Sequence, residues 1–211
     1  MPSPFQLSRM VSAILLAAGS SGRMENKNKL LLPYEGKTML TFTIGNILAA
    51  GIGELIVVTG YEETLVRNTI GDLPVRTIHN PDHKQGMTSS IQTGVRAAKA
   101  GGYMICHADM VWITPEEYSL LKSAFEEKIQ LDERCICQPE YKGAKGNPVI
   151  FSAFYRDAIL QHPEKEGCKG ILRSYPENVY PVAMPSGHIL KDIDYPDDYR
   201  ALSQPPRTPD R

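Results

Sequence analysis

Two groups of side chains in this chain have the types and spacing to handle phosphate. The first lies in the stretch VSAILLAAGSSGRMENKNKLLLP, residues 11–33, where an apolar run breaks into Ala17-Ala18-Gly19-Ser20-Ser21-Gly22-Arg23. Small side chains let backbone N–H groups approach an anion, and glycines reach the positive φ angles that turn those groups inward. Arg23 and Lys29 add positive charge, for which a phosphate chain is the natural guest. A plain strand-to-loop connection carries the same glycines, so the pattern alone leaves both readings open. The spacing does exclude two familiar phosphate loops. There is no GxxxxGK[ST], and Gly19-Ser20-Ser21-Gly22 lacks the GxGxxG fingerprint.

The second group is acidic. Asp109 follows the strand-like run Tyr103–Cys106, and in open α/β sheets ligands bind beyond the carboxyl ends of strands. A turn or cap is the plainer role for an aspartate there. Asp192 and Asp194 flank Ile193, so an extended segment turns both carboxylates to one side, where they repel or share a cation. A hard cation such as Mg2+ suits such oxygen ligands. His79 and His83 are four apart, but Pro81 between them argues against one helical metal face.

The elements that must position these groups alternate. Val11–Leu16 and Glu54–Thr59 read as strands buried on both faces, Val75–His79 and Tyr103–Cys106 as further strands. Thr38–Ala50, Glu62–Ile70 and Met87–Ala100 read as helices, the first stopped by Gly51. Thr114-Pro115-Glu116-Glu117 opens another, with a capping threonine, proline in the first turn and early acids. This rhythm predicts an α/β fold with a mostly parallel sheet covered by helices. Beyond Arg134 it loosens: 134–138, 148–151 and 178–182 read as strands, 153–161 and 170–174 as helices. A second lobe closing the cleft is expected from this part.

With 211 residues, one domain over 11–202 is expected, with flexible tails at 1–10 and 203–211. A formal charge of −1 offers no basic patch for nucleic acid, and no apolar run reaches membrane-spanning length. Four cysteines without zinc-ligand spacing read as reduced thiols of a cytoplasmic protein.

Leu16 through Met24, followed by Lys29-Leu30-Leu31-Leu32-Pro33, resembles the LAAGxSxRM…K signature of nucleotidyltransferases, specifically the molybdenum cofactor cytidylyltransferase group. Glu25 replaces the usual glycine, and one extra residue precedes the lysine; Lys27 competes for that place, though the following LLLP run favours Lys29. The resemblance spans roughly 11–202 and implies a single-domain, three-layer Rossmann-like nucleotidyltransferase fold. It implies that Leu16, Ala17, Ala18, Gly19, Ser20, Ser21, Gly22, Arg23 and Lys29 wrap the triphosphate, with Arg23, Lys29 and Asp109 catalytic. Asn80…Gln85-Gly86-Met87-Thr88-Ser89-Ser90 resembles the family's N…GMxxSL; Gln85, Gly86 and Ser90 become nucleoside contacts and Asn80 a supporting one, although Thr88 and Ser89 are also ordinary capping residues.

In the family an aspartate at this strand end, as GDMP or CDMP, binds Mg2+. Here the residues are His107-Ala108-Asp109-Met110-Val111, so the proline is missing and the carboxylate remains. Lys191-Asp192-Ile193-Asp194-Tyr195-Pro196-Asp197-Asp198-Tyr199 resembles the closing motif DIDTPEDY and makes Asp194 the second metal ligand, with Asp192 an orienting neighbour. Gly146-Asn147-Pro148 resembles the acceptor-side GNPV, whereas Gly167-Cys168-Lys169-Gly170 lacks the aspartate of the relatives' GDxGAR. The implied reaction joins CMP from CTP to the terminal phosphate of molybdenum cofactor and releases pyrophosphate; Ala18, where GTP users read LAGG, favours CTP. The alternatives are another phosphate-bearing acceptor, or a non-catalytic carrier that serves a molybdenum hydroxylase client.

Overall fold

The structure, a computed structural model, describes residues 10–20, 22, 28–165 and 167–202. Ser21, Arg23 and Lys27 therefore lie outside the described residues, as do the expected tails apart from Met10.

Ten strands and seven α-helices follow one another among the described residues. Strand β1 (Val11–Ala17) is followed by a small hairpin, β2 (Pro33–Tyr34) and β3 (Lys37–Thr38), and by helix α1 (Met39–Ala49). Next come β4 (Glu54–Thr59), α2 (Glu63–Ile70), β5 (Arg76–His79), α3 (Met87–Ala97), β6 (Gly102–His107) and α4 (Pro115–Lys128). The remainder is β7 (Ile136–Tyr141), β8 (Ala144–Lys145), β9 (Val149–Ser152), α5 (Arg156–Leu160), α6 (Lys169–Ser174), β10 (Val179–Ala183) and α7 (Pro196–Leu202).

The main sheet runs β10-β7-β9-β6-β1-β4-β5, with β8 paired to β7. Strands β1, β4, β5 and β6 are parallel; β9 turns antiparallel between β6 and β7, and β10 runs parallel to β7. The sheet is thus mostly parallel in its first half and mixed in its second. Ala13 and Leu15 of β1 enter one core with Ile44 and Ile47 of α1 and Leu121 of α4, while Ile14 enters the other with Ile91 and Val95 of α3. Burial on both faces is why the strands lack polar alternation. Gly94 is required for the close approach of α3, because a Cβ there would lie 2.3 Å from Ile14 Cγ2.

Helix boundaries follow their caps. Thr38 accepts from Thr41 N and Thr114 from Glu117 N, each in a reciprocal capping box, worth about 1 kcal/mol apiece. Helix α3 stops at Ala97, short of the expected Ala100, because Ala98 is already extended. The expected helix over 153–161 is a 3-10 turn, Ala153–Tyr155, followed by α5. All four cysteines are buried free thiols. Among the described residues no helix is long and apolar enough to cross a membrane.

Candidate functional site

In register, Leu16 of β1 stands beside Val58 of β4 and His107 of β6, and Thr59 beside His79 of β5. These parallel strands therefore end at one level, and a cleft of about 690 Å³ opens beyond them. Such a position is where open α/β sheets take ligands, since neighbouring connections part there.

One wall is the loop after β1. Leu16, Ala18, Gly19, Ser20 and Gly22 line the cleft, whereas Ala17 is buried in the core shared with α1. The loop is pinned at its root: Tyr61 N donates to Ala18 O at 3.1 Å, and a Cβ on Gly60 would meet both Ala18 and His83. Glycine at position 60 is what lets the β1 and β4 loops and the 3-10 turn His83–Gln85 pack together.

The floor carries the ionic groups. Lys29 starts a short 3-10 turn capped by Asn28, whose Oδ1 accepts from Leu30 N at 3.2 Å. Lys29 Nζ reaches Asp109 Oδ2 at 2.6 Å, Asp194 Oδ1 at 2.9 Å and the Ile193 carbonyl at 2.7 Å. Its side chain is 13% exposed, that of Asp109 17% and that of Asp194 35%, so solvent screens the cluster only in part. Burial works to lower the lysine pKa, but Asp109 and Asp194 outweigh it and hold the ammonium above its ordinary value. Burial lowers His107, with Asp109 and Asp192 pulling against it and Lys29 adding to the fall. Asp192 is raised by burial and then by Asp109 and Asp194. Ile193 is fully buried and its N–H donates to Asp109 O at 3.3 Å; Asp194 lines the cleft, whereas Asp192 is exposed and is not among the lining residues.

The opposite wall comes from the segment before α3. Gly86 and Ser90 line the cleft. Asn80 is buried behind them and donates to Ser89 Oγ at 2.9 Å and Ser90 Oγ at 3.0 Å, so its place is support. Gln85 is exposed, is held by Asp82 Oδ1 at 2.9 Å, and is not among the lining residues. The helix cap is Gly86, at φ 114°, and no side chain caps it. Thr88 instead ties down a later loop, bonding to Glu164 O and accepting from Gly167 N.

Gly146, Asn147 and Pro148 are not lining residues either. Asn147 N donates to Ile189 O at 3.1 Å, and a Cβ on Gly146 would lie 2.3 Å from that same oxygen. This turn packs against the 3-10 turn Gly187–Leu190 that leads into Asp192 and Asp194. Trp112 packs beside Met39, Val111 and Ile193, with Lys191 Nζ 5.8 Å from its ring.

Sequence reasoning missed Tyr61, His83, Lys84, Met87 and His107, all of which line the cleft. His107 ends β6 and Tyr61 follows the end of β4 by two residues, so strand-end position was the available signal.

The two carboxylates form an oxygen-rich pair that fits a hard divalent cation. Asp109 Oδ1 is buried and makes no hydrogen bond among the described residues, an acceptor left for one more positive partner. No described cluster gathers three or more His, Cys, Asp or Glu for a metal. That is compatible with Mg2+, which is commonly held by one or two carboxylates plus substrate phosphates.

A family model described as MobA-like NTP transferase domain matches residues 13–179. The chain is 29% identical over 190 residues to the molybdenum cofactor cytidylyltransferase of Escherichia coli (strain K12), covering 90% of this chain and 93% of that protein. It is 27% identical over 224 aligned positions to the purine catabolism protein PucB of Bacillus subtilis (strain 168), covering 96% of this chain and the whole of the relative. A solved nucleotidyl transferase from Methanothermobacter thermautotroptrophicus (Mth528) superposes with a TM-score of 0.79 at 24% identity, over 92% of this chain and 95% of that one. At that identity the likeness is one of fold.

Proposed function

The chain belongs to the MobA-like NTP transferase domain family and is a nucleotidyltransferase by that membership, and on that premise we propose that it joins CMP from CTP to the terminal phosphate of a molybdenum cofactor. The observation that carries the reading is the meeting of Lys29, Asp109 and Asp194 on the floor of the cleft walled by Gly19, Ser20 and Gly22. The cytidylyltransferase relative, aligned over nearly the whole chain, supports the choice of CTP and of acceptor, as does Ala18 at the loop root.

In this reaction an oxygen of the acceptor phosphate attacks the α-phosphorus in line. The new P–O bond forms as the bond to the β-phosphate oxygen breaks, and the electron pair leaves with pyrophosphate. No covalent enzyme intermediate is needed. The chain's task is to align two anions that repel one another and to offset charge on the leaving group. Backbone N–H groups of Ala18, Gly19, Ser20 and Gly22 would cover the β- and γ-phosphates, and Arg23 is assigned to them by its place in the motif. Asp109 and Asp194 would hold Mg2+, which would supply charge neutralisation at the phosphates. Lys29 lies between the same carboxylates, where its ammonium adds positive charge beside the nucleotide phosphates. Gly86 and Ser90 face the nucleoside, held by Asn80 from behind.

Pyrophosphate release measured with each of four NTPs, with and without molybdenum cofactor and Mg2+, tests the reading. CTP with cofactor and Mg2+ should exceed GTP by at least about a hundredfold in kcat/KM, about 2.7 kcal/mol. Equal turnover of CTP and GTP would sink the cytidylyl assignment, and turnover without cofactor would sink the acceptor.

A further inference from the structure

Glu117 is a buried carboxylate outside the cleft, 3% exposed, whose two oxygens take three donors from two separate parts of the chain. Oε2 accepts from Thr114 N at 2.9 Å, inside the capping box that starts α4. Thr114 closes the loop that begins at Asp109. Oε1 is 2.6 Å from Ser186 Oγ, and Oε2 is 3.0 Å from His188 Nδ1. A hydrogen bond here needs one proton between the pair, and the His188 tautomer with its proton on Nδ1 supplies it. Ser186 and His188 belong to the segment that runs from β10 through Gly187–Leu190 to Asp194.

That segment has no strand ladder to hold it. Its ties include Glu117 at 186 and 188, Met184 N on Glu140 O, Asn147 N on Ile189 O, Ile193 N on Asp109 O, and Lys29 Nζ on Ile193 O and Asp194 Oδ1, besides the buried side chains of Ile189 and Ile193. The two carboxylate-bearing segments are therefore joined at both ends. Lys29 Nζ and the bond from Ile193 N to Asp109 O join them at the carboxylates, and the Glu117 side chain joins them at the far end. A capping glutamate needs only the Thr114 contact. The two further donors from the Asp194 segment are what a cap does not explain.

We propose that Glu117 is a positioning residue that sets the separation of Asp109 and Asp194, and through it their affinity for a shared divalent cation. The proposal rests on the metal reading above. Glu117 touches neither substrate nor metal. It acts because two carboxylates share one ion well only within a narrow range of separations; loss of groups bonded directly to metal ligands weakens metal sites by about ten- to a hundredfold, and a residue one step further out is expected at the lower end.

The test measures Mn2+ binding to the full chain with CTP present, by the loss of free Mn2+ signal in electron paramagnetic resonance. Glu117→Gln and His188→Ala should each weaken Mn2+ binding by about tenfold. His188→Asn, whose amide nitrogen falls near the Nδ1 position, should restore it to within about threefold of the original protein. Leu121→Ala, which opens a cavity lower on α4, should lower Tm and leave Mn2+ affinity within about twofold. Unchanged Mn2+ affinity in both His188→Ala and Glu117→Gln overturns the proposal, and so does equal weakening by Leu121→Ala. If Glu117→Gln does not fold, the His188→Ala and His188→Asn pair decides, since His188 is 33% exposed. Failure of the unaltered chain to bind Mn2+ with CTP would overturn the metal reading and this proposal together, an outcome distinct from the others.

Discussion

Asp109 and Asp194 reach the same lysine by different routes. Asp109 stands two residues past the end of β6, a strand paired on both sides, by β1 and β9. Asp194 arrives well beyond the end of β10, at the sheet edge, through a 3-10 turn and extended chain. In the parallel half, hydrogen-bond register brings strand ends to one level, and a short loop inherits that placement. In the mixed half nothing equivalent reaches the cleft. Placement there depends on side-chain ties and on close approach, such as Gly146 against the Ile189 carbonyl. A site residue held by a ladder withstands changes nearby, while one held by a few ties is sensitive to each of them.

The largest effect is expected on the ladder side. Asp109→Asn should lower turnover by about a thousandfold while Tm changes little, because the amide keeps the shape and loses the charge. Circular dichroism and pyrophosphate release check both. A variant keeping more than about a tenth of the original rate, a loss under ~1.4 kcal/mol, would remove Asp109 from the metal site.

Lys29 joins the two halves, so its removal should be felt by both. Lys29→Ala is expected to lower kcat/KM by about a hundredfold, about 2.7 kcal/mol, against a few-fold loss for Lys27→Ala. Without the ammonium, the Asp109 and Asp194 carboxylates lose the cation they share, so Tm should fall in metal-free buffer and recover in part with Mg2+. Equal defects at 27 and 29 would contradict this placement of the lysine.

Gly146→Ala probes the tied segment without touching any ionic group. Its Cβ must displace the Ile189 carbonyl, at a cost of about 1–3 kcal/mol. Turnover should drop about tenfold as Asp194 shifts. A Tm loss with unchanged turnover would show that the mixed half tolerates more displacement than its ties suggest.

The smallest effect is expected at the loop root. Ala18→Gly should narrow the CTP preference by only about three- to tenfold, since a single methyl group accounts for about 1 kcal/mol in a packed site. Ratios of kcat/KM for CTP and GTP measure it, and no change at all would take Ala18 out of base selection.

Much of the parallel half was legible in the chain itself. The uninterrupted apolar runs of β1 and β4, the Thr114 capping box and the position of Asp109 after β6 are local consequences of periodicity and of backbone hydrogen bonding. The nucleoside-side reading was coarser: Asn80 was rightly placed near Ser90, but nothing local shows that Gln85 turns to Asp82 while His83 and Lys84 line the cleft. A short 3-10 turn directs neighbouring side chains in different directions, and its packing on Gly60 and its bonds to Asn80 and Ser89 fix which way it faces.

What the sequence by itself determined is which segments are strands and helices, which loop is built of small residues, and which carboxylates stand at element ends. Those properties depend on side-chain period, capping and glycine, all of which act over a few residues. Only the tertiary structure decided that Lys29 bridges aspartates 80 and 165 residues away, that Gly146-Asn147-Pro148 braces the Asp194 segment, and that Glu117 joins both acidic segments from outside the cleft. These meetings follow from the order of strands in the sheet, with β6 beside β1 and β9 reversed between β6 and β7. That order is set by the packing of whole elements, and no short stretch of the chain encodes it.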